Sequence, residues 1–126
     1  MRDPKFDDMR PYRDDEIPAA MQRITSNPLF PVVSSFVFPD EDVEKVRALV
    51  GGFRTIREFQ QVAMYRLNEE IISRTTDGFT IGGMEKISRE RSSLFVSNHR
   101  DIVLDASLLQ KSLYDCGLDT CEITFG

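Results

Sequence analysis

The sequence predicts an α/β fold, in which N-terminal helices are followed by the first β-α-β part of a sheet. Two changes of pattern indicate this. Over residues 17–76, apolar side chains recur at spacings of three and four, as in helices that pack on one face. From residue 77 onward, short β-rich runs flank one further helical pattern. Strand, helix and strand in this order predict a right-handed parallel unit.

Composition narrows the class of protein. The 126 residues include 40% hydrophobic and 29% charged side chains, as expected for one folded domain. A net charge of -5 argues against nucleic acid as a partner, because phosphate binding needs an excess of Lys and Arg. No apolar run is long enough to cross a bilayer, and the first residues do not resemble a secretion signal. We therefore expect a cytoplasmic protein that contacts membranes only peripherally.

The first 76 residues predict an arm followed by helices. Residues 1–16 are expected to be a mobile charged arm, because residues 2–16 alternate four basic with six acidic side chains. Residues 17–76 form the predicted helical N-terminal region. Thr55 and Glu58 have the spacing of a capping box at the start of its longest helix. The helices are expected at about 17–26, 28–37, 43–50 and 56–74.

Residues 29–38 form the most apolar ten-residue stretch of the chain, with apolar side chains nearly all round the predicted helix. One interpretation is a helix buried between other helices. The other is an element at a membrane interface, with its apolar side chains inserted into lipid. The sequence alone leaves both open.

Residues 77–126 predict the start of an α/β domain. Its strands are expected at 79–81, 93–96 and 120–125, and its helix at 102–116. A parallel sheet has helices on both faces, yet no crossover helix follows the last predicted strand before Gly126. We therefore expect the domain to be truncated here and to continue in a longer protein.

The two cysteines predict neither a redox motif nor a zinc site. Cys116 and Cys121 are separated by four residues, which fits neither Cys-x-x-Cys nor a zinc knuckle. With His99 as the sole histidine, a zinc site would also need a carboxylate or an outside ligand. We expect reduced thiols and no bound metal.

His99 is the strongest candidate for chemistry, because a β-rich run ends there and a helical pattern follows. At the carboxyl edge of a sheet it would lie where open α/β folds bind ligands. Asp105 is the candidate orienting carboxylate, if a turn-like helix start folds it back onto the imidazole. Asp101 is the competitor, although it is also well placed as a helix cap. The structural alternative makes Asn98 a turn former and Asp101 only a cap.

The block Phe95-Val96-Ser97-Asn98-His99-Arg100, followed by an aspartate, resembles the first sequence block of the glycerolipid acyltransferase family. These are the lysophosphatidic-acid-type, or 1-acyl-glycerol-3-phosphate, acyltransferases. Upstream, Gly83-Met84-Glu85-Lys86-Ile87 is similar to the Gly-hydrophobic-Glu segment that precedes that block. The N-terminal region is similar to that of acyltransferases from Bacteroides-type bacteria.

The resemblance implies roles for four residues. His99 would take the proton from an acceptor hydroxyl, and Asp105 would hold the imidazole in the correct tautomer. In the family, four residues usually separate the histidine from the aspartate. Here Leu104 occupies the usual aspartate position and Asp105 lies one residue further along, as in the ornithine-lipid branch. Asp105 is therefore preferred, with Asp101 open as the alternative partner. The same resemblance implies that Asn98 and Arg100 bind substrate.

The implied donor is acyl-CoA or acyl carrier protein, and the implied acceptor is a glycerolipid-like molecule of bacterial phospholipid biosynthesis. No cofactor and no metal are expected, and the protein would act in the cytoplasm, peripherally on the inner membrane. The family's arginine block, which holds the acceptor phosphate, has no counterpart before Gly126. We therefore expect the N-terminal part of an enzyme, with little or no activity alone. The alternative is a non-catalytic helical module that binds a partner or a membrane through residues 29–38.

Overall fold

The computed structural model describes residues 5, 7–98, 100, 101 and 103–123. Within these residues the secondary structure is helical and contains no strand, so the predicted α/β fold is wrong. The chain forms two compact units, Met1–Ala63 and Met64–Gly126. None of the helices in the described ranges is both long enough and apolar enough to cross a membrane.

The first unit is built from three helices, α1 (Ile17–Thr25), α2 (Phe30–Val37) and α3 (Val43–Gly51). Both α1 and α2 pack against α3. Each helix begins and ends within two residues of the bounds that the helical spacing predicts. Apolar side chains from all three helices and from the turns after α2 and α3 form the core. They are Ile17, Ala20, Met21, Phe30, Val37, Phe38, Val46, Val50 and Phe53.

Local signals explain where these helices start. Pro18 and Pro31 lie in the first turns of α1 and α2, where a backbone N–H has no helical partner and the fixed φ of proline suits a helix. Asp42 caps α3, because its Oδ1 accepts hydrogen bonds from the N–H groups of Glu44 at 3.0 Å and Lys45 at 3.2 Å. Each signal acts within one turn of the helix it starts.

The charged segment before α1 makes defined contacts. The guanidinium of Arg10 donates two hydrogen bonds of 2.6 Å to Glu16, at the end of the 3-10 turn Asp14–Glu16. These hydrogen bonds hold the pKa of Glu16 at about 2. Asp14 Oδ1 accepts a hydrogen bond of 3.0 Å from the backbone N–H of Ile56. Residues 10–16 are thus tied to the rest of the first unit.

The helix predicted over residues 56–74 is present but interrupted. α4 (Ile56–Glu58) passes into a π-helical segment, Phe59–Met64, and then into α5 (Tyr65–Thr75). The predicted capping box opens it: the Glu58 N–H donates to Thr55 Oγ1 at 3.1 Å, and the Thr55 N–H donates to Glu58 Oε2 at 3.0 Å. The π segment, with its i to i+5 hydrogen bonds, shifts the phase of the helix.

In the second unit, α5 packs against α6 (Leu104–Asp115). The contact is largely polar. On α5 the buried residue is Asn68, whose Nδ2 donates to the backbone oxygen of Ser107 at 3.3 Å. Its Oδ1 is buried and has no hydrogen-bond partner within the described chain. The buried residues of α6 are Ser107, Lys111, Ser112 and Leu113.

The three predicted strands, and with them the β-α-β start of an acyltransferase-type sheet, are wrong. A strand exists only through ladder hydrogen bonds to a neighbour, and no described residue of 79–81, 93–96 or 120–123 is paired in this way. Leu94 and Val96 are 90% and 86% exposed, so the second run has no covered face. Its β-rich composition permits a strand but cannot supply the neighbour that a strand needs. Residues 124 and 125 of the third run lie outside the described residues.

Candidate functional site

The start of α6 carries the two candidate carboxylates. Asp105 lies in its first turn, and its Oδ2 accepts hydrogen bonds from the backbone N–H groups of Arg100 at 2.7 Å and Asp101 at 3.0 Å. Residues 100 and 101 are not helical, and α6 begins only at Leu104. The carboxylate therefore folds back along the chain, to the two residues that follow position 99 in sequence.

Asp101 contacts the same helix start in the opposite direction. Its Oδ1 accepts hydrogen bonds from the N–H groups of Val103 at 2.8 Å and Leu104 at 2.7 Å. Acceptance from residues two and three ahead is the contact of an N-cap side chain. The two aspartates together accept hydrogen bonds from four backbone N–H groups, of which one belongs to the first residue of α6 and three precede the helix. The N-cap position of α6 is Val103, so Asp101 accepts these hydrogen bonds from two residues before that position.

The other predicted site residues lie just before this turn. Asn98 and Arg100 are both exposed, and His99 lies outside the described residues. Because the described chain contains no strand, the expected position at the carboxyl edge of a sheet is wrong. Of the predicted set, the structure brings together the side chain of Asp105 and the backbone of Arg100 and Asp101.

Both cysteines are free, half-buried thiols. Burial raises the pKa of Cys121, which keeps the thiol protonated near neutral pH and makes it a weak nucleophile. In the described parts of the chain, no group of three or more His, Cys, Asp or Glu side chains is arranged to hold a metal ion.

A groove of about 330 Å³ in the second unit lies between the end of α6 and the segment 84–89. Gly83 has a φ of 85°, a conformation that favours glycine, and it precedes the 3-10 turn Met84–Lys86. The Arg89 guanidinium donates to the backbone oxygens of Gly117 at 2.9 Å and Cys116 at 2.5 Å, beyond the end of α6. No sequence pattern predicts these contacts, because the partners are far apart in the chain. The groove is lined by Met84, Glu85, Ile87, Arg89, Cys116 and Leu118.

A charged cluster joins α5 to α6. The Lys111 ammonium lies 2.5 Å from an Asp115 oxygen and 2.8 Å from a Glu69 oxygen. The Tyr65 hydroxyl donates to the other Asp115 oxygen at 2.7 Å. Burial lowers the pKa of Lys111, but the hydrogen bonds with Asp115 and Glu69 outweigh it and raise the pKa above its ordinary value. Lys111 is therefore held charged. The spacing of four residues between Lys111 and Asp115 can be recognised in the sequence. No sequence pattern indicates the hydrogen bond between Tyr65 and Asp115.

One face of α2 exposes an apolar row, here called the α2 stripe. Its residues occur at the spacing of neighbours on a single helical face. The opposite face, with Phe30 and Val37, packs into the core. The interpretation of residues 29–38 as a helix buried between other helices is therefore wrong for the outer face. The α2 stripe consists of Leu29, Val32, Val33 and Phe36, which are 66%, 69%, 57% and 43% exposed.

No family model, curated protein or solved structure matches this chain. A functional assignment therefore depends on the residues around position 99 and on the geometry at the start of α6.

Proposed function

We propose that the protein serves in acyl transfer from acyl-CoA or acyl carrier protein to a hydroxyl of a glycerolipid-like acceptor. The proposal is based on the two hydrogen bonds that the Asp105 carboxylate accepts from the backbone N–H groups of Arg100 and Asp101. These residues directly follow His99, in the block that resembles the first block of the glycerolipid acyltransferases. The acceptor is a membrane lipid, so the protein would work in the cytoplasm as a peripheral protein of the inner membrane.

In the proposed reaction, His99 accepts the proton of the acceptor hydroxyl while the hydroxyl oxygen attacks the carbonyl carbon of the thioester. The new C–O bond forms and the C–S bond breaks. The imidazolium then returns the proton to the departing thiolate, so that a free thiol and an ester are the products. Asp105 holds the ring in the correct tautomer and stabilises the transient imidazolium. Asn98 and Arg100 bind substrate, as the resemblance implies.

The proposed partner of the imidazole is Asp105, with Asp101 as the alternative. The hydrogen bonds of Asp101 run forward along the chain, to Val103 and Leu104, as in a helix cap. Those of Asp105 run backward, to residues 100 and 101. Only the second direction brings a carboxylate from within α6 to the segment that carries the proposed base.

The test measures the free thiol released from acyl-CoA with and without a lysophosphatidate-type acceptor. It uses the protein of the complete reading frame that contains these residues. We expect acceptor-dependent release and its loss in His99→Ala. Ser97→Ala is the matched control and should retain the rate, because the reaction needs no serine nucleophile.

Two results would overturn the proposal. One is an unchanged rate of thiol release in His99→Ala, which would remove the proposed base. The other is the absence of any acceptor-dependent release by the protein of the complete reading frame.

A further inference from the structure

The segment that follows α5 is exposed and makes few contacts. The end of α5 is held through Thr76, whose N–H and hydroxyl both donate to the backbone oxygen of Ile72, at 3.1 Å and 2.7 Å. From Asp77 to Gly82 the described chain forms no further hydrogen bond or ion pair. Asp77 and Gly78 are both exposed. An aspartate that directly precedes glycine therefore lies at the start of a segment without hydrogen bonds.

The fold does not require glycine at position 78. The φ of Gly78 is not in the left-handed region, unlike those of Gly83 and Gly117. A Cβ added at position 78 would have no atom of the described chain within 4 Å, apart from those of the adjacent residues. Neither the backbone conformation nor close packing therefore explains a glycine here. Its distinctive property at this position is an unshielded backbone nitrogen.

We propose that Asp77 and Gly78 form a site of spontaneous backbone modification, in which Asp77 becomes isoaspartate through a cyclic imide. The Gly78 nitrogen attacks the carboxyl carbon of the Asp77 side chain. A C–N bond forms, and the amide hydrogen leaves with the hydroxyl of the protonated carboxyl as water. A water molecule then opens the imide at either of its carbonyls, which yields aspartate again or isoaspartate. The reaction needs no oxidant and no co-reactant other than water.

The structure supplies what this ring closure needs. The Gly78 N–H has no hydrogen-bond acceptor in the described chain, so the nitrogen can rotate toward the carboxyl. No backbone N–H or cation of the described residues binds the Asp77 carboxylate, whereas Asp105 and Asp115 are both bound in this way. The sequence contains no other Asp-Gly pair and no Asn-Gly pair. Accessible carboxyl and accessible nitrogen thus coincide at this pair.

Asp40 is the matched aspartate of the first unit. It is exposed like Asp77, but the next residue is Glu41, whose side chain shields the backbone nitrogen. The Glu41 N–H also donates to the backbone oxygen of Phe38 at 3.2 Å, which holds this nitrogen in a turn. We therefore expect no ring closure at Asp40.

Incubation of the full 126-residue chain for several weeks in water enriched in heavy oxygen tests the proposal. Each opening of the imide incorporates one heavy oxygen atom, whether aspartate or isoaspartate results. After digestion with trypsin, mass spectrometry should find this label at residue 77 in peptide 75–86. Chromatography should separate this peptide into two forms of identical mass. Peptide 24–45, which contains Asp40, should carry far less label.

Two glycine variants separate ring closure from other exchange. Gly78→Ala should slow the labelling of residue 77 about tenfold, because a methyl group then shields the nitrogen. The fold should be retained, since a Cβ at this position has open space, and circular dichroism checks this. Gly82→Ala is the matched control and should leave the rate unchanged. Gly82 is likewise exposed, has no positive φ and has open space at its Cβ.

Asp77→Glu tests the carboxyl partner of the ring. Glutamate would have to close a ring that is larger by one atom, which is slower. Label at residue 77 should therefore be lost in this variant. Label that persists there at the parent rate would contradict attack by the Gly78 nitrogen.

Two further results would overturn the proposal. One is as little label in peptide 75–86 as in peptide 24–45. The other is a labelling rate that Gly78→Ala leaves unchanged, which would indicate direct exchange of the carboxyl with water.

The same incubation in concentrated urea measures the rate without the fold. Because Asp77 and Gly78 are exposed and make no hydrogen bonds, the rate in the folded chain should lie within about threefold of this value. A rate in the folded chain that is more than about tenfold lower would show that the fold protects the pair. None of these measurements depends on acyl transfer.

Discussion

The Asp105 carboxylate accepts a hydrogen bond of 2.7 Å from the backbone N–H of Arg100. A second bond, of 3.0 Å from the N–H of Asp101, completes the attachment of this side chain to the residues after position 99. An amide oxygen can accept the same two bonds without a charge. Orientation and stabilisation of an imidazolium, in contrast, require the negative charge. This difference separates a structural role of Asp105 from a role in the proposed chemistry.

Asp105→Asn should lower the rate of acceptor-dependent thiol release at least about 100-fold, because it retains an oxygen acceptor but loses the charge. Asp101→Asn is the matched control. Asparagine caps helices about as well as aspartate, so this variant should keep the rate within about twofold. Equal losses in the two variants would contradict the assignment of Asp105.

The same pair of variants has a readout that needs no activity. His99 is the sole histidine of the chain, so NMR can follow its imidazole without overlap from another ring. In Asp105→Asn the midpoint of the imidazole titration should move to lower pH, because a carboxylate that favours the imidazolium is gone. Asp101→Asn should move it less. Identical midpoints in Asp105→Asn and the parent chain would show that this carboxylate does not act on the ring.

Asn68→Leu should raise the free energy of unfolding by about 1 kcal/mol, because removal of the buried Oδ1, which has no partner within the described chain, outweighs loss of the 3.3 Å hydrogen bond to Ser107. Asn68→Asp should lower it by more than about 2 kcal/mol, since a charge is buried at the same place. Urea denaturation at neutral pH measures both. A loss of stability in Asn68→Leu comparable to that in Asn68→Asp would mean that the amide itself is required.

Lys111→Met should lower the free energy of unfolding by about 1–2 kcal/mol, because Asp115 and Glu69 lose the cation between them. The loss is moderate because both carboxylates are partly exposed. Adding Asp115→Asn should recover part of it, since one of the two acids is then neutral. Lys45→Met, at an exposed lysine of α3, is the control and should change the free energy by less than about 0.5 kcal/mol. If Lys111→Met also changes the free energy of unfolding by less than about 0.5 kcal/mol, the cluster of Lys111, Asp115 and Glu69 does not stabilise the fold.

Glu16 predicts a pH dependence of stability. Hydrogen bonds from Arg10 lower the pKa of Glu16 from 4.5 to about 2 in the folded chain. A carboxyl with a depressed pKa contributes fully above its unfolded value, and this contribution is lost as pH falls through its folded value. The melting temperature of the parent chain should therefore fall more steeply between pH 4.5 and 2 than that of Glu16→Gln. Glu90→Gln, at an exposed glutamate, should follow the parent chain; parallel curves for all three would rule out this contribution.

Local sequence signals account for the helices of the first unit and for the capping at several of their starts. Pro18, Pro31 and the Thr55–Glu58 box act within one turn, and helical hydrogen bonds join residues four apart. Such signals are complete in a short window of sequence, which is why the predicted bounds agree with α1, α2 and α3. The hydrogen bonds that Asp101 accepts from Val103 and Leu104 are local in the same sense.

The remaining features depend on how distant parts of the chain pack together. The β-rich pattern of residues 93–96 permits a strand, but a strand forms only where a neighbouring strand pairs with it, and that neighbour is not encoded within the run. In the same way, the composition of residues 29–38 cannot say which face of α2 becomes covered, since burial depends on where α3 packs. The contact of Tyr65 with Asp115 spans 50 positions and arises only when α5 meets α6. Local hydrogen bonding follows from neighbouring residues, whereas pairing and burial depend on parts of the chain that the local pattern does not contain.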